Sequence, residues 1–287
     1  GVRTDIRRKG HGLQRALTFA LIKVVSDKLK NLRAQEVEGD AKGRTPSKST
    51  YFILEEPELY LHPQAQRALF DSLVSLSESN NQVLLCTHAS ALIDVEKYQS
   101  ICIVKKDSDA VGTKICQYTG ELFDGDRKKD FNLAYWLNPD RSELFFAKKV
   151  VLVEGPTDKT IIPLLAKSLD IFKYEITLVD CGSKTAIPLY IKLLNRFSIP
   201  YIAVYDQDHQ AHKNQQALDA ANRDTALVEA EINADFGKSI VFVNDIEEEL
   251  GLPDGNKSKP YVALSHVSDE GFTLDQQLKS KIREIYE

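Results

Sequence analysis

Methionine is absent from the 287 residues, tryptophan occurs once, and the first residue is a glycine. That composition is expected of a piece of a longer chain. Cysteine is scarce too: Cys86, Cys102, Cys116 and Cys181 follow none of the Cys/His spacings of a zinc site. Three of them sit in apolar, strand-like surroundings, so buried reduced thiols are the expectation. No apolar run approaches the roughly 20 residues that span a bilayer. The longest, such as Val150–Val153 and Val83–Cys86, are strand-sized. The N-terminus also lacks the apolar core of a signal peptide, and the chain reads as soluble and cytoplasmic.

An excess of positive charge is missing as well. The net charge of −5 argues against a general polyanion-binding surface, because nonspecific affinity for nucleic acid comes mainly from Lys and Arg against phosphates. It leaves room for a site whose clustered acids are neutralised by bound cations, since the ions are then part of the local field. What is plentiful is hydrophobic residues, at 43%, enough over this length for two cores of ordinary size.

Along the chain, Leu13, Ala16, Leu17, Ala20, Leu21, Val24 and Val25 recur at helical spacing and predict an amphipathic helix over Leu13–Leu32. A Gly-, Lys- and Ser-rich stretch, Glu38–Ser49, then reads as a loop. Strands are expected at Tyr51–Leu54, Val83–Cys86, Ile101–Val104 and Lys114–Tyr118, with a helix at Pro63–Leu76. Apolar periodicity fades between Thr119 and Pro139, which marks a boundary. The expected division is 1–118, a linker at 119–145, and 146–287.

Past that boundary a pattern repeats. Val150–Val153 runs into Glu154, Ile176–Val179 into Asp180, Ile202–Tyr205 into Asp206, and Ile240–Val243 is followed shortly by Asp245. Helical segments at Lys159–Leu169 and Ala186–Asn195 separate the first three runs, so crossover connections gather the strand ends at one edge of a parallel sheet. Ligands of open α/β sheets bind in the crevice outside that edge. Asp158 lies four residues past Glu154, in the first turn of the next helix. Asp206 and Asp208 are two apart, the spacing that puts side chains on one face of an extended chain. Hard cations such as Mg2+ or Mn2+ take oxygen ligands, and two ions on the order of 4 Å apart can stabilise both the attacking and the leaving oxygen of a phosphodiester. Taken singly, an Asp-x-Asp or an acid at a helix start is usually a turn or a cap. The joint placement of Glu154 and Asp206 is what points to phosphoryl chemistry. Ser183 and Lys184 follow Asp180 at an expected helix start, where backbone amides can hold a substrate phosphate.

Val151-Leu152-Val153-Glu154-Gly155-Pro156-Thr157-Asp158, with Tyr205-Asp206-Gln207-Asp208, resembles the Toprim domain of topoisomerases, primases and certain nucleases. The lead-in Glu143-Leu144-Phe145-Phe146-Ala147-Lys148-Lys149 is similar to the overcoming-lysogenization-defect (OLD) family of nucleases. The resemblance implies a Rossmann-like parallel sheet with helical additions. Glu154 would be the motif glutamate, serving in metal binding or acid/base work, with Asp158, Asp206 and Asp208 holding Mg2+ or Mn2+. Glu247 is the position most like a later acidic ligand, beside Glu248 and Glu249. Lys259, or its neighbour Lys257, is similar to a late lysine that neutralises charge on the phosphate.

In the first half, Tyr51-Phe52-Ile53-Leu54-Glu55-Glu56-Pro57 has the form of a Walker B strand: an apolar run, a carboxylate for Mg2+, then a second able to orient water. His88 follows another strand. Gly10 and Gly12 precede a helix that begins near Gln14, an arrangement that lets N–H groups meet phosphate. Singly these are a turn, a cap and a structural histidine. In this order and spacing they resemble the signature motif, Walker B and switch histidine of ABC-type ATPases, OLD proteins included. The phosphate loop Gly-x-x-x-x-Gly-Lys-Ser/Thr is nowhere in the chain, so ATP turnover and ATPase-mediated homodimerisation would require an N-terminal lobe.

The expectation is thus an α/β chain, a partial ABC-type ATPase lobe followed by a Toprim domain, cutting DNA with two metal ions. Basic residues Arg141, Lys148 and Lys149 are candidates to guide the DNA backbone. The rivals are a topoisomerase- or primase-like Toprim enzyme, whose partner domains are not apparent, and a non-catalytic ATP-gated DNA-binding scaffold.

Overall fold

The computed structural model describes residues 50–78, 81–108, 112–122, 139–252 and 259–287, together with single positions between 5 and 28. Most of the expected linker, the loop at 38–49 and Lys257 lie outside the described residues. The chain divides into two compact units, Gly1–Asp94 and Val95–Glu287. Among the described residues no helix is long and apolar enough to cross a membrane.

In the first unit, β1 (Thr50–Glu55) and β2 (Asn81–Cys86) pair in parallel through α1 (Pro63–Ser77). Leu69, Leu73 and Leu76 form the buried stripe of α1, and Pro63 opens it at a position whose N–H is unused anyway. The described positions of the expected N-terminal helix (13, 14, 17, 19–21, 24 and 28) are helical, and so is Gly12 just before it.

The second unit opens with an antiparallel hairpin, β3 (Cys102–Ser108) and β4 (Gly112–Gln117). Its main sheet is wholly parallel, in the order β6-β5-β7-β8: β5 (Lys149–Val153), β6 (Ile176–Asp180), β7 (Tyr201–Asp206) and β8 (Gly237–Phe242). Val150, Val151, Leu152 and Val153 are all fully buried, which is why this strand reads as an unbroken apolar run. Each such side chain contributes on the order of 1.5–3 kcal/mol on burial. The connections are helical: α2 (Pro156–Ser168), α3 (Ile187–Arg196) and α4 (Gln215–Glu231). A single-turn α5 (Ile246–Glu249), then α6 (Lys259–Val267) and α7 (Gln276–Tyr286), complete the unit. Ile161, Ile162 and Leu165 of α2 join Ala263 of α6 and Leu278, Ile282 and Ile285 of α7 in one core with Val151, Val153, Ile202 and Val204. Gly237 starts β8 under the Tyr201 ring, where any Cβ would come within 2.3 Å of a ring carbon.

The four cysteines are free, but only Cys181 is buried; Cys86 and Cys102 are exposed. The expectation of buried thiols fails at Cys86 because β2 lies in a two-stranded sheet where alternate residues face outward.

Candidate functional site

The sheet order places β5 between β6 and β7, so the chain leaves β5 towards one side and later returns on the other. At such a switch point the C-terminal strand ends open a crevice. Glu154 and Asp206 stand on its two lips and meet: Glu154 Oε1 accepts the Asp206 backbone N–H at 2.7 Å. Asp158 is buried in the first turn of α2, where its Oδ2 accepts the Gly155 N–H at 3.2 Å. Carboxylates belong at that end of a helix, where unpaired N–H groups carry partial positive charge.

The acids perturb one another. Burial pushes Glu154 up to about 6, and Asp208 adds to the shift, while the Asp206 N–H, Lys184 and Lys213 restrain it. Asp158 is raised by burial and then by Glu154 and Glu247. Asp206 is raised furthest, again by burial first, then by Asp158, Glu154, Asp208 and Asp245. Its Oδ1 is buried and accepts no hydrogen bond. The physical content is one small volume holding more carboxylates than it can keep ionised.

Asp208 has a left-handed backbone (φ 64°), uncommon for a residue with a side chain and often found at functional turns. Two ammonium groups hold its carboxylate: Lys213 Nζ lies 2.8 Å from Oδ1, and Lys184 Nζ lies 3.7 Å from Oδ2. Of the three successive acids in α5, Glu247 is buried and acts electrostatically on Asp158. Glu248 is exposed along a cleft that His209, His212, Asn244 and Asp245 also line. Glu249 is spent on the Val243 N–H and Lys281. Asp245 caps α5, accepting the Glu248 N–H at 2.8 Å.

The fold therefore brings Glu154, Asp158, Asp206, Asp208 and Glu247 to one edge. The spacing of the acids gives no sign of their internal counter-charge. Lys184 points inward and donates to the Asp206 carbonyl, while Ser183 is exposed and pairs with Thr185 Oγ1 at 2.9 Å. Lys213, five residues past Asp208, was not anticipated; a basic residue close behind an Asp-x-Asp strand end was the available signal. Lys148 and Lys149 stand at the other end of β5, roughly 16 Å of strand from Glu154. Lys148 pairs there with Glu175 at 2.8 Å, and Lys149 reaches the Ile285 carbonyl. They do not share the acid edge, because a strand separates its N-terminal residues from its C-terminal ones by its full length. The side chains of Arg141 and Lys259 lie outside the described residues, although Lys259 begins α6.

Among the described residues, no three His, Cys, Asp or Glu side chains are already gathered as an ion-holding group. The acids lie within electrostatic reach of one another, but Glu154 and Asp158 each turn an oxygen onto an N–H donor and Asp208 onto lysines. The donor set is nevertheless all oxygen, as Mg2+ or Mn2+ requires, and the partnerless Asp206 Oδ1 is a buried acceptor that a cation would satisfy. The residues fit such an ion.

In the first unit the parallel pairing sets the end of β1 beside the end of β2, with the Glu56 N–H donating to the Cys86 carbonyl at 2.8 Å. His88 Nε2 lies 3.8 Å from Glu56 Oε1, and Glu56 takes a left-handed backbone (φ 42°). Glu58, unremarked in the sequence, is buried and accepts from Thr87 Oγ1 at 2.6 Å and the His88 N–H at 2.9 Å, tying the two strand ends together. Gly10 accepts the Leu13 and Gln14 N–H groups at the start of the helix, and Gln14 donates to the Lys9 carbonyl. Gly12 approaches the Tyr60 carbonyl so closely that a Cβ would stand 2.7 Å from its oxygen.

Parallel strands present acids at each of these edges, and the sequence matches follow the same division: residues 1–93 match the AAA ATPase domain family, and residues 145–208, within the second unit, match a TOPRIM family. The TOPRIM family is that of the overcoming lysogenization defect protein-like proteins, so the second unit carries an OLD-like TOPRIM domain. An OLD nuclease of Thermus scotoductus is 30% identical over 222 residues, covering 73% of this chain and 42% of that protein. The Old nuclease of Escherichia phage P2 is 28% identical over 240 residues, covering 80% and 39%. Endonuclease GajA of Bacillus cereus is 28% identical over 181 residues, covering 62% and 30%. The chain thus spans about two fifths or less of the length of these curated relatives. A solved C-terminal region of the Xanthomonas campestris OLD protein is 24% identical, covers 50% of this chain and 79% of its own, and superposes with a TM-score of 0.27.

Proposed function

We propose that this chain is the C-terminal region of an ATPase-nuclease, a divalent-metal-dependent endonuclease that hydrolyses DNA phosphodiesters in the cytoplasm. The observation that carries the reading is the meeting of Glu154, Asp158 and Asp206 at the β5/β7 switch point, with a buried Asp206 oxygen left partnerless. Asp158, Asp206 and Glu154 would hold Mg2+ or Mn2+, with Asp208 and Glu247 at the flanks as ligands to a second ion. Bound there, such cations supply Lewis-acid stabilisation of charge developing on phosphodiester oxygens.

The chain's own residues supply the rest. Glu154, whose carboxyl burial pushes up to about 6 in the metal-free chain, is assigned to metal binding or acid/base work at the crevice. The Asp206 N–H fixes the Glu154 carboxylate in place. Lys259, at the start of α6, is assigned to neutralise charge on the phosphate. ATP binding through Gly10, Gly12, Gln14, Glu55, Glu56 and His88, and homodimerisation through the ATPase domain, belong to the intact protein.

The test is supercoiled plasmid with the purified chain and Mg2+ or Mn2+: nicked or linear DNA is expected, and undiminished cutting by Asp206→Ala would refute the site. The lysines clamped on Asp208 favour one other reading, a non-catalytic DNA-binding module with a self-neutralised site. DNA binding without metal-dependent cutting supports that alternative.

A further inference from the structure

We propose that Lys184 is a positioning residue, a buried ammonium that fixes the turn from Tyr205 to Asp208 and thereby sets how tightly the acid crevice takes a divalent cation. The inference rests on the cation-holding reading of this edge. Lys184 is only 5% exposed. Burying an amine is costly unless its charge is compensated, and here a hydrogen bond, a carboxylate and a ring face do so. Its Nζ donates to the Asp206 carbonyl, lies 3.7 Å from Asp208 Oδ2, and sits 5.3 Å from the centre of the Tyr205 ring. Three consecutive features of the turn, a ring face, a main-chain oxygen and a carboxylate, converge on one side chain.

The topology explains why that matters. β6 and β7 are not neighbours, since β5 lies between them. Lys184 leaves the turn after β6 and reaches over the end of β5 to the end of β7, tying together the strand ends that flank Glu154. Lys213 grips the other Asp208 oxygen, but from the loop that follows, and its side chain is 24% exposed against 6% for Lys184. The outer lysine is placed to exchange partners, whereas the inner one is placed to stay. An ammonium engaged on the protein side and closed to solvent is poorly placed to bind a substrate phosphate, the role its position after a strand first suggested.

The two roles separate experimentally. Mn2+ binding to the 287-residue chain is measured by isothermal titration calorimetry for wild type, K184M and K184R, with melting in EDTA as the folding control. Binding to a short DNA duplex in Ca2+ is followed against salt. A positioning lysine predicts Mn2+ affinity weakened about tenfold or more in K184M, largely recovered in K184R, with the salt slope unchanged. Wild-type or tighter Mn2+ binding by K184M overturns the proposal. So does a salt slope shallower by about one phosphate contact with Mn2+ affinity intact, the signature of a DNA contact. If K184M fails to fold, K184Q is read in its place: it removes the ammonium that faces Asp208 and the Tyr205 ring, and Mn2+ affinity equal to wild type in it shows that no buried ammonium is needed and overturns the proposal. A wild-type chain that takes up no Mn2+ sinks the cation reading itself; wild-type uptake matched by K184M sinks only the role given to Lys184.

Discussion

Each unit buries a carboxylate where parallel strands end, and the two carboxylates behave oppositely. Glu58 in the first unit and Asp206 in the second each have one buried oxygen without a hydrogen-bond partner. Burial raises both, but at Glu58 hydrogen bonds from Thr87 and from backbone N–H groups, with the His88 charge, outweigh it and hold the group below the ordinary glutamate range. At Asp206 four further acids, Asp158, Glu154, Asp208 and Asp245, add to burial and push it far above the ordinary aspartate range. The same strand-end position thus yields a structural tie when donors surround it and a crowded, proton-holding cluster when acids do. The company an acid keeps separates the two, more than its place in the fold.

The largest expected effect comes from neutralising the crowded acid. Asp206→Asn should lower cation-dependent DNA cutting by roughly 100-fold or more. In EDTA near neutral pH the same substitution should change the stability of the second unit by less than about 1 kcal/mol, because burial and the neighbouring acids already hold the Asp206 carboxyl protonated there. Plasmid nicking and thermal melting read the two halves, and an Asp206→Asn destabilised beyond that in EDTA would break the comparison.

Next comes pH. Glu154, Asp158 and Asp206 all have folded-state values raised above the ordinary range. Their contribution to stability is therefore fully present below about pH 4 and is lost as pH rises through the folded values, about 6 for Glu154 and about 7 for Asp158. Glu154 alone, moving from 4.5 to about 6, accounts for on the order of 2 kcal/mol. Melting in EDTA should fall in temperature between pH 5 and pH 8, and saturating Mn2+ should flatten or reverse the slope. A flat EDTA profile counts against the crowding.

The matched change in the first unit should be smaller and purely structural. Glu58→Ala leaves Thr87 and the His88 N–H without their acceptor, for a loss of about 1–3 kcal/mol in urea unfolding of that unit. Mn2+ uptake by the second unit should stay as in wild type. Smallest of all is Ser183→Ala, which gives up an exposed contact to Thr185 and should change stability by less than about 0.5 kcal/mol. DNA binding weakened at fixed salt in that variant would support Ser183 as a phosphate contact.

Much of this was legible in the sequence, for reasons that differ by element. β5 and β7 are legible because strands covered on both faces are nearly unbroken apolar runs, and β6 and β8, at the ends of the sheet, through shorter apolar stretches that precede an acid. The helix α4 is not, since its 17 residues bury only Ala221 and Val228 and carry no apolar stripe to recognise. Glu154, Asp158, Asp206 and Asp208 stand out by their spacing, whereas Glu247 is picked from among three successive acids only through the family resemblance. Their counter-ions do not stand out, because Lys184 reaches Asp206 across 22 residues of sequence and over an intervening strand. Glu58 escaped notice for a similar reason: its partners Thr87 and His88 lie about 30 residues on, joined to it only by strand pairing.

The central claim is that Glu154, Asp158 and Asp206 together take a divalent cation. A crystal soaked in Mn2+, with anomalous data collected at the manganese edge, tests it without reference to any assay. An anomalous peak bounded by those three carboxylates is the predicted result. A fully soaked crystal with no peak there, or with its only peaks elsewhere on the molecule, would contradict it.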